Sequence, residues 1–112
     1  MVIKKVVLIT FSVRSEKFDS NYERNKFFRE LYGWKQTIPN EKKTYEYHRE
    51  GVLDEMPHKK VDQSSFLIPE GNFDRMMEFF EEWHNKVMWR TFKVLLDAKE
   101  LKDMIDDFEE VE

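Results

Sequence analysis

Four groups of residues in this chain have the right types for chemistry. His48 and His58 lie close in sequence to Asp54 and Glu55, a set of imidazole and carboxylate donors that a divalent cation could use. Their spacing fits no established ligand signature, and the expectation is of solvated loop residues with no metal. Glu16, Asp19 and Asp62 are the carboxylates near the end of the first predicted strand and in the returning hairpin, where metal-dependent phosphodiester hydrolysis would need several converging oxygens. Ser12, Ser15, Ser20, Ser64 and Ser65 have no nucleophile elbow or paired base around them. His84 sits beside Trp83 on the polar side of a helix, as a surface residue would. Only Gly33, Gly51 and Gly71 are available, too few and too scattered for a phosphate-cradling loop. No cofactor signature and no catalytic constellation emerges.

The fourth group is cationic. Arg14, Lys17, Arg24, Lys35, Lys42, Lys43, Arg49, Lys59 and Lys60 cluster at the exit of the first strand, along the first helix and around a long hairpin. Trp34, Tyr45 and Tyr47 are interleaved with them, and an aromatic ring beside a cation is what a single-stranded nucleic acid uses to stack and neutralise. Glu41, Glu46, Glu50, Asp54 and Glu55 are interspersed, so a mixed-charge solvated surface is the competing reading.

The elements that must position these residues follow from periodicity. Residues 2–13 read as a β-branched strand, apolar on both faces. Ser20 and Glu23 have capping-box spacing ahead of a helix that ends at Gly33. Pro39 marks a turn, 43–49 alternates as a half-exposed edge strand, 51–58 reads as a hairpin tip, and 61–68 returns as a strand. Helix two spans 72–86 from an Asn72 cap, with Phe73, Met76, Met77, Phe80, Trp83 and Val87 on one stripe. Residues 88–96 form the last strand, and 98–112 a short acidic helix using Leu101, Ile105 and Phe108. The order is α+β, a ferredoxin-like βαββαβ antiparallel sheet with two helices on one face, as one domain over 1–97 plus the terminal helix.

Alternation then sorts the strand residues. Ile3, Val7, Ile9, Phe11, Phe66, Ile68, Phe92 and Val94 are expected to face the helices. Val6, Leu8, Val61, Leu67, Trp89 and Leu95 are expected on the other face. That second set is an apolar patch that asks for a cover: a homodimer through these six residues, or the terminal helix folded over them.

Charge and composition bound the rest. The 112 residues carry a net charge of −4, yet 97–112 holds eight acids against Lys99 and Lys102, so the other 96 residues carry +2. The acidic segment could dock on a protein partner or mimic phosphate against the basic body. The absence of cysteine excludes disulfides and thiolate chemistry. The chain has 15% aromatic content, which disordered chains lack, and 38% charged content, of the kind thermophiles favour. The apolar start is broken by Lys4 and Lys5 and shows no cleavage site, so a cytoplasmic location without membrane contact is expected.

Three segments carry a family resemblance: the leading strand, the helix ending Phe27-Phe28-Arg29-Glu30-Leu31-Tyr32-Gly33, and the strand Lys60-Val61-Asp62-Gln63-Ser64-Ser65-Phe66. Over about residues 2–96 the chain resembles the small CRISPR-associated Cas-two family and the C-terminal domain of phenylacetic-acid-type transcriptional repressors. The family's basic-apolar-Gln-x-Ser-apolar-Phe signature is met at Lys60, Val61, Ser64 and Phe66, with Asp62 in place of Gln and Ser65 in place of an apolar residue. The resemblance implies a dimeric scaffold that contacts nucleic acid. The family's first strand ends in a Tyr-Asp pair, whose Asp is assigned to metal-dependent nuclease chemistry. Here the strand reads Ile9-Thr10-Phe11-Ser12-Val13, so the implied role is binding without cleavage. A protein-interaction module and a nuclease using Glu16, Asp19 and Asp62 are the alternatives.

Overall fold

The computed structural model describes residues 4–96; the acidic segment expected over 98–112 lies outside them. The protein is α+β. Strand β1 (Lys4–Val13) leads into helix α1 (Asn21–Tyr32), and β2 (Trp34–Pro39) and β3 (Thr44–Arg49) follow as a hairpin. A short 3-10 turn (Val52–Glu55) then leads to β4 (Lys59–Asp62) and β5 (Ser65–Pro69), and helix α2 (Phe73–Glu82) and β6 (Val87–Leu96) complete the described chain. One antiparallel sheet has the order β4-β5-β1-β6, and β2 and β3 form a second sheet by themselves. No helix among the described residues is long and apolar enough to cross a membrane.

Helix α1 forms where its caps require. Ser20 Oγ accepts the Glu23 amide at 3.2 Å, and Glu23 reaches back to the Asp19 amide at 3.0 Å. Gly33 ends the helix at φ 78°, a conformation that side chains other than glycine's resist. Helix α2 ends four residues earlier than its stripe suggests. Backbone bonds from Lys86 and Val87 to the Trp83 carbonyl turn the chain into β6, and a 3-10 turn (Glu70–Asn72) leads into the helix without an Asn72 side-chain cap.

The core lies between one sheet face and the two helices. Val7, Ile9, Phe11, Phe66 and Ile68 meet Phe27 and Leu31 of α1 and Met76, Phe79 and Phe80 of α2. Each such side chain contributes roughly 1.5–3 kcal/mol by leaving water. The rings interlock: Phe27 stacks on Phe79 with centroids 5.5 Å apart, and Phe80 lies 5.3 Å from Trp89.

Four expectations need correcting. The 43–49 strand is not an edge of the main sheet: it pairs with 34–39, and the edges are β4 and β6. Residues 51–58 are not a solvent-exposed tip, because Val52, Leu53 and Met56 are buried in the core. The 61–68 strand is two strands, turned at Gln63–Ser64 where Asp62 Oδ1 accepts the Ser64 amide at 2.7 Å. On β6 the faces are the reverse of those expected. Leu8 pairs with Phe92 and Phe11 with Trp89, which puts Trp89 on the helix face and Phe92 and Val94 on the open one. A one-residue phase error exchanges every side chain of a strand between faces.

Candidate nucleic-acid interface

The β2–β3 hairpin is an arm. Among the described residues neither strand packs substantially against any other element, and every residue of β3 is exposed. Register divides the arm into two faces. Lys35, Thr37, Thr44, Glu46 and His48 share the polar one, with Lys35 Nζ 2.8 Å from Glu46. The other carries Trp34, Gln36, Ile38, Tyr45, Tyr47 and Arg49. Ile38, Tyr45 and Tyr47 are each 40–46% exposed, so the apolar side of this ribbon faces solvent. Two guanidiniums lie against its rings: Arg29 is 4.6 Å from the Trp34 ring centre and Arg49 5.7 Å from that of Tyr47.

The base of the arm is held by two glycines and a carboxylate. Gly33 enters β2 and Gly51 follows β3, and the two backbones touch. A Cβ on Gly51 would sit 2.2 Å from the Gly33 nitrogen, and one on Gly33 would sit 2.5 Å from the Arg49 carbonyl oxygen. Asp54 spans the crossing, accepting the Gly51 amide at 2.8 Å and meeting His48 Nε2 at 2.9 Å. Burial pushes the Asp54 carboxyl up, but the Gly51 and His48 hydrogen bonds outweigh it and hold the group below the ordinary carboxylate range. His48 thus links the arm to the body by a side chain, as Trp34 does under Arg29. His58 turns away, with Nδ1 3.0 Å from the Met56 carbonyl, which it must face as a donor.

The nine sequence-predicted cations fall into three groups, not one patch. Lys35, Lys42, Lys43 and Arg49 lie on the arm, the middle two in its turn. Arg24 and Lys60 end a ring ladder along α1: Arg24 is 5.1 Å from the Phe28 ring centre, Phe28 stacks on Tyr32, and Lys60 Nζ is 4.3 Å from the Tyr32 ring. Lys59 neighbours Lys60 on β4. The Tyr32 hydroxyl donates to the Gln63 carbonyl at 2.5 Å, and burial, aided by the Asp62 charge, pushes its pKa up to about 12. Arg14 and Lys17 stand at the β1 exit.

The carboxylates do not converge. Asp19 lies 3.9 Å from Lys86, which also pairs with Glu23, while Asp62 is on β4. Among the described residues no three His, Asp or Glu side chains are grouped to hold a metal ion. Of the six residues expected on the open face, Val6, Leu8 and Leu67 are there, and Val61 sits at the β4 irregularity, 54% exposed. Trp89 and Leu95 belong to the helix side by register. Val6 and Leu67 are each 2% exposed in the single chain and leave a partner little further area to bury.

Sequence reasoning missed Arg29, Ile38, the glycine contact and Arg90. The alternation Trp34, Gln36, Ile38 was the available signal for β2, masked by Pro39 at its end. No protein-family model, curated protein or solved structure matches the chain.

Proposed function

We propose that this protein binds single-stranded nucleic acid as a non-catalytic scaffold of ferredoxin-like, Cas-two-like type. The observation that carries the reading is the ring-and-guanidinium face of the arm: the exposed Tyr45 and Tyr47 and the half-buried Trp34, with Arg29 and Arg49 beside them. Bases stack on such rings whatever their identity, each contributing ~1–3 kcal/mol, while Lys42 and Lys43 meet the phosphates from the turn. The sheet order β4-β5-β1-β6, with β1 and β5 central and both helices on one face, supports the ferredoxin-like part once β2–β3 is taken as an insertion. Self-association belongs to the same proposal and is supported by Phe92 and Leu95, 50% and 66% exposed on the long edge strand β6.

Fluorescence anisotropy with a labelled oligothymidylate, a DNA duplex and an RNA duplex across a salt series tests it. The single strand should bind most tightly, with affinity falling steeply as salt rises. Tyr45→Ala and Tyr47→Ala should each weaken binding by roughly 5- to 100-fold without changing the folded state. No binding of any probe at ~50 mM salt overturns the proposal and leaves the same exposed rings and Ile38 to a protein partner.

A further inference from the structure

The sheet face opposite the helices changes character along its length. Register sets the rows. Pro69, Val6 and Val94 form one, and Lys59, Leu67, Leu8 and Phe92 the next, so this end is mainly apolar. The third row crosses all four strands as Asp62, Ser65, Thr10 and Arg90, and the fourth pairs Ser12 with Met88. At these last two rows the surface is recessed by about 320 Å³, and Thr10, Ser12, Met88 and Arg90 line the recess with Phe11 and Trp89.

Two guanidiniums flank it. Arg90 lines it directly, and Arg14 reaches it from the end of β1, with Nη2 2.8 Å from Met88 Sδ. A thioether is a weak acceptor, so that contact leaves the donor capacity of Arg14 largely unused. Neither arginine has a carboxylate partner among the described residues, whereas Lys35, Arg75, Lys86 and Lys93 all do. The one acid of the row, Asp62, is three strand spacings from Arg90, about 14 Å, and one of its oxygens is engaged by the Ser64 amide. Two forked cations and two hydroxyl donors thus surround a polar recess with no adjacent negative charge among the described residues.

We infer that this recess is a phosphate site, taking one phosphodiester group of the bound strand between Arg14 and Arg90, with Thr10 and Ser12 donating to its oxygens. A guanidinium fork matches two phosphate oxygens at once, and serine and threonine hydroxyls supply the remaining donors. Arg90 is not an obvious phosphate ligand in sequence, since it lies in the strand run Val87–Leu96; only the register places it beside Thr10 and on the face that Arg14 overhangs. The identity of the ligand as a nucleic-acid phosphodiester rests on the function proposed above; the anion site rests on the recess alone.

The test follows the arginine Nε–Hε resonances of the ¹⁵N-labelled full chain during separate titrations with inorganic pyrophosphate and with an oligothymidylate. Arg14 and Arg90 should shift together and saturably with both probes, while Arg75, locked on Glu55, stays in place. The double variant Arg14→Gln/Arg90→Gln should keep the wild-type circular dichroism and lower the salt slope of oligonucleotide binding by about 0.7, the value for one phosphate contact on a single strand. Pyrophosphate leaving both resonances unmoved overturns the anion site. Oligonucleotide binding that bypasses the two arginines, with an unchanged slope in the variant, overturns the phosphodiester assignment while the nucleic-acid reading stands. A response to pyrophosphate from a protein that binds no oligonucleotide refutes the nucleic-acid reading and makes the recess a site for small phosphate compounds.

Discussion

Gly51→Ala should be among the most damaging single-methyl changes in this protein. The Gly51 backbone, at φ −102° and ψ −179°, is open to any residue, so the conformation itself costs alanine nothing. Replacing glycine at such a position stabilises by about 0.4–1 kcal/mol through the unfolded chain, where nothing else intervenes. Here the new methyl would lie 2.2 Å from the Gly33 nitrogen, 2.6 Å from the Leu31 carbonyl oxygen and 2.8 Å from the Leu31 carbonyl carbon, against ordinary contact at 3.4–4 Å. All three are backbone atoms, and the helix end they belong to is tied to Phe27 and Leu31 in the core. Overpacking costs about 1–3 kcal/mol where side chains can give way, and a backbone that cannot swing aside puts this case at the upper end. After the unfolded-state gain, a net loss of about 2–3 kcal/mol remains, which for a domain of this size lowers Tm by roughly 10–20 °C. Urea unfolding followed by circular dichroism reads it as a lower midpoint at unchanged slope. Gly71→Ala is the control, because its Cβ would meet nothing within 4 Å, and it should be neutral or slightly stabilising. Equal midpoints for the two variants would refute the claim that the arm and the α1 terminus are packed backbone to backbone.

Two pH-dependent predictions follow from the same anchors. Asp54 is held below the ordinary carboxylate range in the folded protein, so its stabilisation is fully present above the unfolded value of about 3.9 and is lost as pH falls through the folded pKa; the gap in urea midpoint between wild type and Asp54→Asn should therefore be widest near neutrality and close in acid, and a pH-independent gap would contradict it. Tyr32 is shifted upward, so its contribution is intact below about pH 10 and is lost as pH rises through about 12; ultraviolet titration of phenolate should show a late-ionising group near pH 12 that Tyr32→Phe removes.

Local signals made much of the fold legible. The Ser20–Glu23 cap, the positive-φ glycine that ends the helix at Gly33, the β-branched first strand and the Met76–Phe80 stripe are short-range patterns, and each marks the element it predicted. Three further signals were present but pointed to burial or turning in places a simple alternation obscures. Val52, Leu53 and Met56 are too apolar for a solvent-facing tip, Asp62-Gln63-Ser64 is a turn sequence inside an apolar run, and Trp34–Ile38 alternates up to a proline that closes the strand. What local pattern does not contain is relative register. Leu8 opposite Phe92, rather than Ile9, is decided by how β6 slides along β1, and that one step sends Trp89 to the core and brings Arg90 to Thr10. The cations were visible one by one, but their division among the arm, the α1 ladder and the β1 exit depends on contacts between residues far apart in sequence.

The arm shows why binding and stability should separate cleanly here. A two-stranded hairpin is marginal in water without a third strand or a helix to cover it, and this one has neither among the described residues. Its order must come from its base, where Gly33 meets Gly51, Asp54 holds the Gly51 amide and His48, and Arg29 lies over Trp34. Tyr45 and Tyr47 contribute little to that anchorage: both are more than 40% exposed, and the Arg49 guanidinium stands 5.7 Å from the Tyr47 ring centre. An exposed aromatic pair on an uncovered ribbon adds little to folding and carries an aggregation risk; under the proposed function, the bases of a bound strand would cover it. The base, in turn, sets where the rings stand relative to the body without touching what they bind. Substitutions at the base should therefore lower stability first and binding as a consequence, whereas Tyr45→Ala and Tyr47→Ala should lower binding alone.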